Sequence, residues 1–121
     1  MSRSFLTTAP ILAALAGASP ASAHAFLVRA VPPVGATVRV APPTLDLFYT
    51  EGVVPRFTRV QVLDPHGKPV STGNPRLAAD DKRELIVGLP KLQPGAYEVV
   101  WHATSVDTHK TEGRFRFQVA P

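Results

Sequence analysis

The sequence predicts an all-β protein, an immunoglobulin-like Greek-key β-sandwich of about seven strands preceded by a cleaved signal peptide. Three observations predict it. No helical periodicity is sustained beyond residue 23. Thirteen prolines and eight glycines punctuate the 121 residues. Short runs of apolar and polar alternation recur between turn signals, at roughly the 8–12-residue spacing of two-sheet sandwiches.

The amino-terminal segment has a different character. Arg3 supplies a positive charge, residues 5–16 form an apolar run, and Ala21, Ser22 and Ala23 fit the small-residue pattern before a signal-peptidase cut. The run is shorter than the ~18–20 apolar residues a membrane-spanning helix needs, and Pro10 interrupts it. An uncleaved anchor or a buried helix is the competing reading. No later segment is long and apolar enough to span a bilayer. The expected division is therefore a signal peptide at 1–23 and one exported domain at 24–121. Cleavage after Ala23 changes His24 chemically, because its backbone amide becomes a free amine with an ordinary pKa of about 7.7–8.0.

Within the domain, residues 26–31 read as a first strand, stopped by Pro32, Pro33 and Gly35. A short extended piece at 37–40 ends at Pro42 and Pro43. Leu45, Leu47 and Tyr49 alternate on one face of the next strand, and residues 57–63 place Val60 and Val62 inward. Asp64, Pro65, His66 and Gly67 then form a turn. Residues 68–82 are polar and turn-rich, and read as a long loop with one short strand. Leu85, Val87 and Leu89 alternate again. A Pro94–Gly95 turn then delivers Tyr97 to the start of a strand, the position from which a tyrosine corner folds its hydroxyl onto the backbone just upstream. The last two strands lie within 96–119. Val99, Trp101 and Ala103 line the first; Phe115, Phe117 and Val119 line the second, against Arg114, Arg116 and Gln118. There is no internal repeat and no linker.

Composition excludes several functions. Cysteine is absent, so no thiolate metal site, cysteine nucleophile or disulfide is available. The one methionine is Met1, so a processed chain has no thioether for Cu(I), and a metal must be held by nitrogen and oxygen. Removing Arg3 with the signal leaves a net charge of +3, which suits solubility. With no basic run and few aromatics free to stack bases, nucleic acid is not an expected partner.

Of the four histidines, His66 sits in a turn where a solvated side chain is the default. His102 is out of phase with Trp101 and belongs to the opposite face of its strand. His109 stands apart because Asp107 lies two residues before it in the loop between the final strands, where the two side chains can aim at one point. The amine and ring of His24 would complete an N3O donor set of the tetragonal kind that suits Cu(II), provided the two regions meet. A hydrolytic acid–base pair is the alternative for Asp107 and His109. Its only near nucleophile is Ser105, and three such residues within five positions are too close for triad geometry. Glu51 could add a carboxylate or orient a ligating histidine, or be an ordinary solvated strand end.

These residues resemble the CopC family of periplasmic copper-binding proteins. The resemblance covers the whole processed chain: His24–Ala25–Phe26–Leu27 after the signal, Pro32–Pro33–Val34–Gly35–Ala36, Pro42–Pro43–Thr44–Leu45, Thr50–Glu51, Pro94–Gly95–Ala96–Tyr97, and Ser105–Val106–Asp107–Thr108–His109 with Trp101, Gly113 and Phe115–Arg116–Phe117 around it. It implies one Cu(II) per chain, held by His24 through amine and imidazole (a histidine brace), Asp107 and His109. Glu51 falls at an acidic position found near copper in some members. It further implies a role in copper resistance, homeostasis or transfer, without catalysis, and a separate CopD-like membrane protein as partner. The 68–82 segment lacks the methionines with which one branch of the family binds Cu(I). The rival is a histidine-brace oxidase or monooxygenase, which uses the same grip but needs open coordination positions and a broad, often aromatic substrate face. A single Trp and two Tyr argue against such a face.

Overall fold

Eight strands pass back and forth between two sheets in the computed structural model, which describes Ser4 and residues 24–121. The strands are β1 (Leu27–Val31), β2 (Thr37–Val38), β3 (Thr44–Tyr49), β4 (Arg59–Leu63), β5 (Thr72–Ala78), β6 (Asp81–Gly88), β7 (Gly95–Thr104) and β8 (Lys110–Val119). One sheet has the order β1-β3-β6-β5 and the other β2-β8-β7-β4. Neighbours are antiparallel except β2, which runs parallel to β8. The predicted sandwich is thus present, its eighth strand being the two-residue β2. Apart from Ser4, the expected signal segment lies outside the described residues. Among the described residues no helix is long and apolar enough to cross a membrane.

The core is the sum of the inward faces. Leu45, Leu47 and Tyr49 of β3 and Leu85 and Val87 of β6 are buried against Val60 and Val62 of β4 and Tyr97, Val99, Trp101 and Ala103 of β7. Phe115, Phe117 and Val119 of β8 complete it. Each set follows the period of two that sends alternate side chains to one face of a strand. Trp101 lies flat on Gly113, its cross-strand partner. A β-carbon added there would come 2.6 Å from the indole Cζ2, so only glycine admits the ring. Tyr49 meets the same indole in an edge-to-face arrangement, with centroids 5.3 Å apart. Its hydroxyl is buried without a partner among the described residues, and burial pushes its pKa up. The tyrosine corner is formed: the Tyr97 hydroxyl donates to the Gln93 carbonyl at 2.6 Å.

Two segments differ from the expectation, at Phe57 and at 68–82, and the expected first strand carries an irregularity. In β1 the register slips between Leu27 and Arg29, a bulge that leaves Val28 without a counterpart on β3. Strict alternation is lost, and Phe26, Val28 and Val31 are exposed while Ala30 is buried. Phe57 does not open a strand; it ends a single 3-10 turn (Pro55–Phe57) and is exposed. The 68–82 segment contains a seven-residue strand, β5, and the start of β6, joined by a tight turn at 79–80. β5 is an edge strand, where Pro75 and Gly73 are tolerated and pairing comes from the backbone ladder instead of an apolar face.

Candidate metal centre

The loop between β7 and β8 is tied from within. The carbonyl of His109 accepts from Ser105 N at 2.9 Å, and Ser105 O accepts from Thr108 N at 2.9 Å. Closing so tight a turn puts Thr108 at φ 76°, the left-handed region that a β-branched residue avoids. The benefit is aim: Asp107 and His109, on either side of Thr108, face each other with Oδ2 3.0 Å from Nδ1. The Ser105 hydroxyl, almost fully buried, donates to Asp107 Oδ1 and lies 3.2 Å from the His109 carbonyl. That hydroxyl, followed by the His109 ring and backbone N–H, holds the Asp107 carboxyl below the usual carboxylate range. Asp107 is therefore an anion at neutral pH with both oxygens directed, and His109 keeps Nε2 for another partner.

The amino-terminal end of the domain is brought to this loop by two threonines. Thr50, just past β3, donates its hydroxyl to the His24 carbonyl at 3.1 Å and accepts from Phe26 N at 3.0 Å, while its own N–H donates to Phe26 O at 2.9 Å. Thr111 on β8 donates to the carbonyl of buried Ala25 at 2.7 Å. Held so, the His24 ring stacks on that of His109, with centroids 4.6 Å apart and planes 29° off parallel. The Phe26 ring also stacks with that of His24, with centroids 5.9 Å apart. The two regions separated by more than eighty residues of chain are in contact.

His24, Asp107 and His109 are thus brought together. Glu51 lies at the same end, between Thr50 and Gly52, whose carbonyl accepts from Val106 N at 3.0 Å; its side chain is exposed. His66 is elsewhere, in the turn after β4, where Asp64 Oδ1 accepts from its backbone N–H at 2.8 Å. His102 points out from β7 and pairs with Glu112 across the sheet, Nε2 to Oε2 3.1 Å. No three His, Asp or Glu side chains among the described residues converge as a finished metal cage. The reason is visible in the stacking: parallel rings offer each other their faces, and nitrogen lone pairs lie in the ring planes. The donor types and their proximity fit a divalent ion that prefers nitrogen and carboxylate, once the two rings turn about their side-chain torsions.

Sequence reasoning did not find Thr50, Thr111 or Ser105 in these roles. Ser105 was considered only as a nucleophile, whereas it orients Asp107. The threonines bond to carbonyls 26 and 86 positions away, and nothing local in the chain marks such contacts.

Known proteins share this fold and much of this sequence. The family model for the CopC domain matches residues 27–120. Protein YobA of Escherichia coli (strain K12) is 38% identical over 98 residues, covering 80% of this chain and 79% of that protein. Copper resistance protein C of Xanthomonas campestris pv. juglandis is 32% identical over 123 residues, covering 97% and 96%. The crystal structure of CopC from Methylosinus trichosporium OB3b superposes with a TM-score of 0.76 at 36% identity, covering 81% of this chain and 95% of that one. In its fold, its matched span and its relatives, the chain belongs to the CopC family.

Proposed function

We propose that residues 24–121, freed by cleavage after Ala23, form a periplasmic protein that binds one Cu(II) as cargo and acts in copper resistance, homeostasis or transfer. The observation that carries this reading is the stacking of His24 on His109, with Asp107 against the same ring. The amine and imidazole of His24, the imidazole of His109 and the Asp107 carboxylate make an N3O set, and Glu51 stands at the rim of the same end. An anionic carboxylate among the ligands favours the divalent ion, and a processed chain has no methionine to favour Cu(I). With most equatorial positions taken, the ion is held and carried without catalysis. The partner for handover is a CopD-like membrane protein on a separate chain; the copper-related names of relatives such as copper resistance protein C support the choice of metal.

The test is electron paramagnetic resonance with competition titration of the copper-loaded processed protein. Three nitrogen couplings are expected. Adding one residue before His24 removes the amine and is expected to weaken binding by about a hundredfold, the upper end of what losing a residue that merely orients a ligand costs. His109→Ala changes the spectrum and His66→Ala does not. Unchanged affinity in the extended protein, or a spectrum that follows His66, overturns the assignment. Because ligands must shed protons to bind the ion, affinity falls as pH is lowered.

A further inference from the structure

On the outer face of the β2-β8-β7-β4 sheet, a groove of about 590 Å³ opens between the 3-10 turn and the ends of β7 and β8. Arg56, Phe57, Arg59, His102, Lys110 and Glu112 shape it. The floor is fixed: the Thr104 hydroxyl donates to the Phe57 carbonyl at 2.8 Å, and Thr104 N donates to the Thr58 hydroxyl at 3.2 Å. The turn therefore cannot swing away from β7 without breaking buried hydrogen bonds.

Its charge is unbalanced in a way that the rest of this face is not. Arg114 and Arg116 share Glu98, at 3.1 and 3.3 Å. Glu112, the acid in the groove, is engaged by His102. Arg56, Arg59 and Lys110 have no carboxylate within ion-pair distance among the described residues. Three unpaired cations around a concavity concentrate positive potential there. The exposed ring of Phe57, with the Arg56 guanidinium 5.0 Å from its centroid, adds an apolar wall. Guanidinium groups match carboxylate oxygens in bidentate geometry, and an aromatic wall favours an anion with a carbon skeleton over a bare inorganic one.

We propose that this groove binds a small organic polycarboxylate. The site is separate from the copper ligands, although Lys110 follows His109 directly, and it stands whether or not the copper reading holds.

The test uses the metal-free processed protein with citrate as probe, followed by amide chemical shifts and calorimetry, with inorganic phosphate and anionic phospholipid vesicles as the other arms. Saturable citrate binding is expected, with shifts centred on Thr58, Arg59, Thr104 and Lys110, and weaker binding of phosphate. Arg59→Gln and Lys110→Gln each weaken citrate about tenfold, the scale of one charge-assisted hydrogen bond, while Arg114→Gln leaves it unchanged. The proposal is overturned by non-saturable binding, by equal loss in Arg114→Gln, or by shifts centred on Glu98 and Arg116. Phosphate binding as tightly as citrate overturns it too, as does vesicle binding without citrate binding.

Discussion

Thr108 shows how one residue serves the site at the expense of its own comfort. A threonine at φ 76° costs about 1–2 kcal/mol against its extended conformation, and that strain sits between the two loop residues that must face each other. Thr108→Gly removes the strain but gives up part of the gain to the freer unfolded chain. The variant is expected to be more stable than the parent by about 0.5–1 kcal/mol in metal-free urea unfolding. Its copper affinity is expected to fall, because the Asp107–His109 aim is no longer enforced. A variant that is less stable, or one that binds as tightly as the parent, would show that Thr108 is not the lock. The residue types here were legible from the sequence: an aspartate and a histidine two apart can share an ion. The lock was not, because a positive φ leaves no mark in residue identity when the residue is threonine.

At the scale of elements, β7 and β8 are the pair on which the site depends. Their ladder runs from Gly95↔Val119 to Thr104↔Lys110, and the loop begins where it ends. Trp101 over Gly113 sets how closely the two strands and the sheet opposite can pack. Gly113→Ala pushes a methyl into the indole and is expected to cost about 1–3 kcal/mol, read as a lower urea midpoint with unchanged slope. An unchanged midpoint would mean that the ring moves aside freely. Strands with a buried face were readable from their alternation: Leu45, Leu47 and Tyr49 in β3, and Leu85 and Val87 in β6, are all buried as expected. The one short strand expected within 68–82 is present as β5, but its place and its seven-residue length were not readable, since Thr72, Gly73, Asn74 and Pro75 carry no apolar period and an edge strand needs none. β1 was legible as a strand, but its facing was not, because a bulge shifts the phase by one residue, which no count of hydrophobics detects.

At the largest scale, three carboxyls among the described residues are held below their ordinary range by hydrogen bonds. Asp64 is lowered chiefly by the Lys68 backbone N–H, Asp81 by that of Arg83, and Asp107 by the Ser105 hydroxyl. Each is more acidic folded than unfolded, where an aspartate titrates near about 3.9. Their stabilising contribution is complete above that value and is lost as pH falls through the depressed folded values. The urea midpoint of the metal-free protein is therefore expected to fall as pH drops below about 4. Asp64→Asn should flatten that fall; a slope identical to the parent's would remove Asp64 from the account.

Thr50 belongs to one sheet's end and Thr111 to the other sheet; the first holds His24 and Phe26, and the second holds Ala25 between them. The segment at 24–26 is thus a stitch across the seam of the sandwich, and on the proposed copper reading an ion gripped by His24 and His109 would act as a rivet through that stitch. Cargo and layer spacing are then mechanically linked. Loading should slow amide hydrogen exchange at Phe26 and Thr50, and any receiver that pries this seam open would loosen the ion without ever competing for its ligands.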